Sequence, residues 1–266
     1  MSSDLAYTRQ TVTRVQAWVP GKLLSIHTTR DPNYQFTAGQ FARLGLPAAD
    51  DPQGPPTLWR AYSMVNAPQH NELEFYSIVV PDGEFSPLLA KLQVGDALYV
   101  DKTPFGFLTI DRFAPEGNLW LLATGTGLSA YLSMLQESNV WENFERIIVV
   151  HGVRQREELA YAELLQTWSQ QGPPASVHPS PKARLVYLPI PTREALPNMP
   201  QARITQLIED GRLAQLAGCS LEPSDSKVML CGNPEMVTQA RALLQARGFA
   251  AGRRGNKGTL AVENYW

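Results

Sequence analysis

Residues 119–130 read LWLLATGTGLSA, and this stretch decides the class of fold. It opens with a continuous apolar run, Leu119–Ala123, which is typical of a strand buried on both faces of a parallel sheet. Glycine, glycine and alanine follow at positions 125, 127 and 130, and a helix-like segment continues to about Glu137. A strand, a glycine-rich turn and a helix in this order predict one unit of an α/β domain.

The rest of the C-terminal half repeats this alternation of buried strand and amphipathic helix. Three more apolar strands are predicted, at Ile147–Val150, Val186–Ile190 and Val228–Cys231. The helices that follow them are predicted at Glu157–Gln170, Arg203–Leu216 and Pro234–Arg247, with proline at a favoured first position in the last. The stretch 172–182, rich in Pro and Ser, is predicted to be an exposed loop. This order indicates a doubly wound parallel sheet.

The N-terminal half has a different pattern of short β-rich runs separated by Gly, Pro and Asn. Strands are predicted at Phe41–Leu46, Ala61–Val65, Leu73–Val80 and Ala97–Val100. Several short strands divided by turn residues favour an antiparallel barrel or sandwich. We therefore predict two domains, 1–113 and 114–266, with residues 111–117 as the linker.

The bulk composition excludes several classes of protein. With 266 residues the chain is longer than one hydrophobic core usually covers, and its formal net charge of −2 gives no general attraction to nucleic acid or to an anionic membrane. Two cysteines, Cys219 and Cys231, provide neither a disulfide framework nor a four-ligand zinc site, so no metal is predicted. The first residues lack the features of a secretory signal, which favours a cytoplasmic protein.

Two glycine turns suggest that the α/β domain binds a phosphate. Gly125 and Gly127 follow the first strand, and Gly232 with Asn233 follows Val228–Cys231. Glycine lets a backbone approach a pyrophosphate, and a helix N-terminus supplies free N–H groups. The alternative is that each is a tight strand-to-helix turn. Ligands in open α/β sheets bind beyond the carboxyl ends of the strands, so we expect both turns to face one crevice.

Arginines in the same half favour NADP over NAD. Arg154 and Arg193 lie shortly after predicted strands, and Arg203 opens a predicted helix. Guanidinium groups suit a dianionic 2′-phosphate, whereas NAD binding more often places an acidic residue at the ribose. The alternative is that they are ordinary solvated arginines.

In the N-terminal half the segment Arg60–Ser63, which reads RAYS, offers complementary groups. Arg60 supplies positive charge for a pyrophosphate, Tyr62 a flat ring for stacking and Ser63 a hydroxyl. The alternative is a structural strand whose aromatic side chain faces a core.

From about Ala38 to Trp266 the chain resembles the bacterial ferredoxin (flavodoxin)–NADP reductases. The resemblance rests on seven short motifs in the same order, which are AGQF (38–41), RAYS (60–63), PDGEFSP (81–87), ATGT (123–126), HGVR (151–154), MLCGNPEM (229–236) and VENYW (262–266). It implies an N-terminal antiparallel FAD-binding β-barrel followed by a C-terminal doubly wound, parallel-sheet NADP-binding domain.

The resemblance also implies a set of FAD-binding residues. Tyr62 and Tyr265 would cover the two faces of the isoalloxazine, Ser63 would lie near its reactive N5, and Trp266 would stack on the adenine. The implied FAD-binding residues are Arg60, Ala61, Tyr62, Ser63, Phe75, Tyr76, Ser77, Ile78, Gly83, Phe85, Ser86, Tyr265 and Trp266. The alternative for the two terminal aromatics is that they dock on a core.

On the nicotinamide side, the resemblance implies that Thr126, Cys231 and Glu263 position the ring against the flavin. The implied NADP(H)-binding residues are Thr124, Gly125, Thr126, Gly127, Arg154, Arg193, Arg203, Cys231, Gly232 and Asn233, and the implied catalytic set is Ser63, Cys231, Glu263 and Tyr265. His151 is expected to be structural rather than a general base. The family's turn often has a proline after its glycines, but here residues 127–130 read GLSA.

The implied activity is exchange of a hydride between NADP(H) and FAD, and of single electrons with ferredoxin and/or flavodoxin, by a monomer. Arg253, Arg254 and Lys257 are candidates for docking an acidic carrier, although such a run is commonly a solvated loop. Three alternatives stay open: an NAD(P)H-dependent flavin reductase component of an oxygenase system, a non-catalytic flavin-binding subunit, and a nucleotide-binding scaffold without flavin. The first usually brings an iron–sulfur domain, for which this sequence has no cysteine cluster.

Overall fold

The structure, a computed structural model, describes residues 5–253 and 256–264. Its N-terminal part is one six-stranded antiparallel sheet with the strand order β4-β3-β6-β1-β2-β5. The strands are β1 (Tyr7–Val19), β2 (Leu23–Thr29), β3 (Phe41–Leu46), β4 (Leu58–Ser63), β5 (Glu72–Ile78) and β6 (Ala97–Asp101), and a short helix, α1 (Ser86–Leu89), precedes β6.

This sheet curls into a half-barrel until its two edge strands meet at one corner. Met64, just after β4, forms an antiparallel bridge with Phe75 of β5, and the Val65 N–H donates to the Glu74 carbonyl at 2.8 Å. The curled sheet encloses an apolar core that includes Val12, Ile26, Leu44, Phe75 and Val100. The predicted antiparallel β architecture of this half is confirmed.

The C-terminal part is a five-stranded parallel sheet with helices on both faces, which confirms the doubly wound prediction. The strand order is β11-β10-β7-β8-β9. The strands are β7 (Asn118–Thr124), β8 (Arg146–Val153), β9 (Arg184–Pro191), β10 (Ser226–Cys231) and β11 (Leu260–Glu263). The helices are α2 (Leu128–Leu135), α3 (Ser138–Asn143), α4 (Ala162–Gln171), α5 (Ile204–Glu209), α6 (Arg212–Ala217) and α7 (Pro234–Ala246).

Alternation along β7 explains the two covered faces. Leu119 and Leu121 pack in one cluster with α2, α3 and α4, whereas Trp120 and Leu122 pack in the other with α5, α6 and α7. Successive side chains of a strand point to opposite faces, so a strand that is apolar throughout requires helices on both.

Among residues 5–253 and 256–264, the structure contains no helix with the length and apolar character of a membrane span.

Two predicted helices are shorter than the sequence indicates. The predicted helix Glu157–Gln170 is a single 3₁₀ turn, Arg156–Glu158, followed by α4 after a break at Tyr161, whose φ is +60°. The predicted helix Arg203–Leu216 is divided into α5 and α6 by Gly211, whose φ is +78°. A residue with positive φ cannot continue a right-handed helix, so each helix begins anew beyond it.

Hydrogen bonds and apolar packing join the two sheets. Ser133 of α2 donates to the Asn66 carbonyl at 2.8 Å, and Gln136 donates to the Val65 carbonyl at 2.9 Å. The apolar cluster on the α2 face continues into the barrel through residues such as Leu23 and Tyr76. These contacts fix how the barrel faces the carboxyl edge of the parallel sheet.

Candidate functional site

The two glycine turns pack directly against each other, because β10 lies beside β7 in the sheet. The Asn233 N–H donates to Thr124 Oγ1 at 2.7 Å. A Cβ on Gly232 would lie 2.3 Å from that same oxygen, and a Cβ on Gly127 would lie 2.7 Å from the Cys231 carbonyl carbon and oxygen. The predicted phosphate-binding turns therefore form one continuous surface beyond the strand ends.

This close approach predicts that the two turns tolerate side chains unequally. Gly232 has a φ of +126° and no room for a Cβ, whereas Gly125 has a φ of +54° and open space around it. We expect Gly232→Ala to lower the free energy of unfolding by about 4 kcal/mol, since overpacking and backbone strain add. Gly125→Ala, the matched control, should cost about 1 kcal/mol. Denaturant titration of both variants measures this, and equal losses would contradict the packing described.

His151 of β8 contacts the backbone of the glycine turn that contains Gly125. It is fully buried, and its Nε2 lies 3.0 Å from the Gly125 carbonyl oxygen. Burial lowers the pKa of this imidazole to about 4, so the ring is neutral at neutral pH and its Nε2–H donates to the carbonyl. A neutral, buried histidine that holds a turn agrees with the structural role expected for it.

The lowered pKa of His151 predicts acid sensitivity of folding. The unfolded chain takes up a proton below about pH 6.5 and the folded chain only near pH 4, so stability declines as pH falls between these values. The total loss should be about 3 kcal/mol, with no contribution above pH 6.5. His151→Asn should flatten this part of the curve of unfolding free energy against pH. Parallel curves for the parent and for His151→Asn would rule out His151 as the source.

The three predicted phosphate-binding arginines lie near the same edge of the sheet. The Arg193 N–H donates to the Arg154 carbonyl at 2.9 Å, which continues the pairing of β8 with β9 beyond the strand ends. Arg203 immediately precedes Ile204, whose Cδ1 lies 3.0 Å from where a Cβ on Gly152 of β8 would be. All three side chains are exposed, and none forms an ion pair with another described residue.

In the barrel, Arg60 and the 83–86 loop lie close together. The exposed Arg60 Nη2 lies 3.7 Å from Glu84 Oε2, itself exposed. Ser86 Oγ accepts from the Val80 N–H at 2.9 Å, and the Gly83 N–H donates to the Val80 carbonyl at 2.9 Å. Ser86 therefore shapes its own loop with one lone pair, and its hydroxyl hydrogen is free to rotate toward a ligand.

The remaining residues of the RAYS segment occupy the end of β4. Ala61 and Tyr62 are half-buried, whereas Ser63 is buried. The Tyr62 hydroxyl accepts from Ser77 Oγ at 3.1 Å, and its ring centre lies 5.8 Å from that of Phe85. These contacts fix the ring plane of Tyr62 beside the 83–86 loop.

Several residues implied to bind FAD have side chains that are buried in the protein interior. Phe75 and Phe85 lie in the barrel core, and Tyr76 lies in the cluster that joins the two sheets, with its ring centre 5.3 Å from that of Tyr161. Ile78 is half-buried against the same cluster. Contacts of Phe75, Tyr76 and Phe85 with a ligand would have to come mainly from their backbone.

Cys231 and Glu263 end neighbouring strands on the side where the barrel approaches. Cys231 is buried at the end of β10 and pairs in register with Glu263 of β11. Glu263 Oε1 accepts from the Phe107 N–H at 3.2 Å, in the loop that follows β6. Gly106, with a φ of +98°, makes this possible, since a Cβ there would lie 2.6 Å from that oxygen. Thr126 is half-buried in the adjacent glycine turn.

Three residues named in the sequence analysis lie outside the described residues: Arg254, Tyr265 and Trp266. Their proposed roles rest on the resemblance alone.

Sequence reasoning missed the polar contacts between the barrel and the α/β half. Lys22 Nζ lies 2.7 Å from Glu158 Oε1, and the Tyr161 hydroxyl donates to Glu74 Oε1 at 2.7 Å and also bonds Ser25. Nothing in the local sequence points to these pairs, because each joins residues that are far apart in the chain.

Comparisons with known proteins agree with this arrangement. A family model described as an oxidoreductase NAD-binding domain matches residues 121–242. The ferredoxin–NADP reductase A of Sorangium cellulosum is 41% identical over 97% of this chain and 89% of its own length. The flavodoxin/ferredoxin–NADP reductase of Escherichia coli (strain K12) is 36% identical over 96% of this chain and 97% of its own.

Among solved structures, a ferredoxin NADP+ reductase from Neisseria gonorrhoeae with bound FAD and NADP superimposes with a TM-score of 0.89. The match covers 99% of this chain and 100% of that chain, at 31% sequence identity.

Proposed function

We propose that this chain, which belongs to the ferredoxin–NADP reductase family, carries out its reaction where Glu263 meets the barrel. As a member of that family it is an oxidoreductase that uses FAD and NADP(H). It exchanges a hydride between NADP(H) and FAD, and single electrons with ferredoxin or flavodoxin. The observation that carries the assignment of the site is the contact of Glu263 Oε1 with the Phe107 N–H at 3.2 Å. This contact joins the strand beside Cys231 to the barrel that carries Arg60, Tyr62 and Ser63.

The donor groups of the barrel fit the diphosphate of FAD. Arg60 presents an exposed guanidinium whose ion pair with Glu84, at 3.7 Å, is long and exposed to solvent, so a phosphate can replace it at little cost. Ser86 would supply its hydroxyl, and N–H groups of residues 84–86 would lie beside it. Tyr62 would cover one face of the isoalloxazine, and Tyr265 and Trp266 would cover its other face and the adenine.

The donor groups of the α/β half fit NADP(H). The joined glycine turns would hold the pyrophosphate, because their backbone leaves room for close approach. Arg154, Arg193 and Arg203 would hold the 2′-phosphate, for which three guanidinium groups without ion pairs to other described residues are a suitable set.

FAD, when bound, supplies the exchange between two-electron hydride transfer and one-electron transfer. The residues of the chain orient the flavin and nicotinamide rings and exclude water from them. Thr126, Cys231 and Glu263 would hold the nicotinamide against the flavin, and Ser63 would lie at the flavin edge. The Cys231 thiol is buried at a strand end, where it acts as a positioning group without a covalent intermediate.

Several finer properties are part of this proposal. The enzyme would be a cytoplasmic monomer without nucleic-acid or membrane partners. Its acidic electron carrier would dock near the exposed Phe107, over which the Arg112 guanidinium lies at 5.1 Å from the ring centre. Arg253, Arg254 and Lys257 would add positive charge to that face.

Anaerobic addition of NADPH, and separately of NADH, to the purified protein tests the proposal through the visible absorption of bound flavin. We expect a yellow protein whose flavin absorption is lost at lower concentrations of NADPH than of NADH. Failure to take up FAD would indicate a nucleotide-binding scaffold without flavin. Retention of FAD without reduction would indicate a non-catalytic flavin-binding subunit. Preference for NADH would favour a reductase component of an oxygenase system.

A further inference from the structure

We propose that Glu158, held by Lys22 of the barrel, is a positioning residue for Arg154 and thereby sets the discrimination between NADP(H) and NAD(H). The inference rests on the proposed function, since it assumes that Arg154 binds the 2′-phosphate. It adds two residues that act on the arginine's backbone rather than on the nucleotide: Glu158 contacts that backbone directly, and Lys22 holds Glu158.

The Glu158 carboxylate fixes the backbone of the arginine loop. Glu158 is 6% exposed, and its Oε2 accepts from the Arg154 N–H at 2.7 Å and from the Gln155 N–H at 3.0 Å. One oxygen that accepts from two consecutive N–H groups fixes the orientation of both peptides. Since the peptide before Arg154 sets the direction of its Cα–Cβ bond, the carboxylate determines where that side chain leaves the loop.

Lys22 holds the other oxygen of this carboxylate from the barrel. Its Nζ lies 2.7 Å from Glu158 Oε1, and its carbonyl accepts from the Val79 N–H at 2.8 Å just beyond β5. Burial pushes the pKa of the Glu158 carboxyl upward, but hydrogen bonds from Lys22 and from the Gln155 and Arg154 N–H groups outweigh it. The net pKa is below its usual value, and the carboxylate is charged at neutral pH.

The Arg154 carbonyl oxygen is held as well, because it accepts from the Arg193 N–H at 2.9 Å. Two residues further along the loop, the Arg156 N–H donates to Glu194 Oε2 at 2.8 Å. The loop therefore has little freedom in its backbone, whereas the Arg154 side chain is exposed and forms no ion pair within residues 5–253 and 256–264. A rigid backbone with an uncommitted guanidinium is a preorganised anion contact, which loses little entropy when the ligand binds.

The first test measures equilibrium binding of NADP+ and NAD+ to the FAD-loaded protein by calorimetric titration. In Glu158→Gln the amide oxygen still accepts, but a neutral acceptor is about half as strong as a charged one. We expect this variant to bind NADP+ about 10-fold more weakly with unchanged NAD+ affinity, which corresponds to about 1.4 kcal/mol. Lys22→Met should weaken NADP+ binding by about 3-fold. Unchanged NADP+ affinity in both variants, or equal losses for both nucleotides, would overturn the proposal.

Glu157→Gln is the matched control. It is the neighbouring carboxylate, 60% exposed and 3.5 Å from the same Lys22 Nζ, and it accepts from neither Arg154 nor Gln155. NADP+ affinity in this variant should equal that of the parent. A loss as large as that in Glu158→Gln would show that negative charge near Lys22, rather than the held backbone, is what matters, and it would overturn the assignment.

A double-mutant cycle separates failure of this inference from failure of the proposed function. Arg154→Ala should weaken NADP+ binding, and Glu158→Gln should then add no further loss, because its effect passes through Arg154. If Arg154→Ala leaves NADP+ affinity unchanged, the assignment of Arg154 to the 2′-phosphate is wrong. If Arg154→Ala weakens binding but Glu158→Gln adds an independent loss, the assignment holds and the positioning role is wrong.

Discussion

Replacing Arg193 and Arg203 together with alanine is expected to lower the preference for NADPH over NADH by about 10²-fold or more. Hydrogen bonds to charged groups contribute about 1.5–3 kcal/mol each, and every 1.4 kcal/mol is a factor of ten. Only NADPH carries the 2′-phosphate, so the loss should fall on NADPH alone. The measurement is the ratio of kcat/KM for the two nucleotides with an artificial electron acceptor.

Arg184→Ala provides the control for this double variant. Arg184 is also exposed on β9, but at the end of the strand opposite to Arg193. It should leave the ratio unchanged. Because Arg193 and Arg203 are exposed, the double variant should fold normally. A ratio equal to that of the parent would show that these two arginines do not contact the 2′-phosphate.

Ser63→Ala and Glu263→Ala are each expected to retain FAD and to slow its reduction by NADPH by about 10²-fold, the size seen when one positioned polar group is removed from an active site. Ser63 ends β4 in the barrel and Glu263 ends β11 beside Cys231, so the two approach the reaction from opposite halves of the protein. Anaerobic stopped-flow absorption with excess NADPH gives the rate of flavin reduction directly.

The control for these variants is Glu145→Ala. Glu145 is an exposed carboxylate immediately before β8, at the edge of the parallel sheet remote from the glycine turns, and its replacement should not change the rate. A parental reduction rate in Ser63→Ala or Glu263→Ala would remove that residue from the catalytic set. Loss of FAD from the purified variant would instead assign the side chain to cofactor retention.

The sequence predicted the elements whose signal is local. Four of the five parallel strands of the C-terminal half have a continuous apolar run at their centre, and β3 was predicted with its observed bounds. Pro234 begins α7 as expected, and the Asn233 side chain before it accepts from the Glu235 and Met236 N–H groups. Strands β1, β2 and β11 were not among those predicted. In β1 most side chains are only partly buried, so hydrophobic alternation is weak.

The sequence by itself determined the fold class, the glycine turns and the arginine-bearing strand ends, because hydrophobic periodicity and turn chemistry depend on neighbours in the chain. Only the tertiary structure decided which of these features meet. The sheet order places β10 beside β7, so Asn233 bonds Thr124 across 109 positions of sequence, and the barrel's placement brings Lys22 to Glu158. It also decided that Phe75, Tyr76 and Phe85 are buried in apolar clusters. Such contacts depend on how distant strands and layers pack, and no local pattern of residues encodes that.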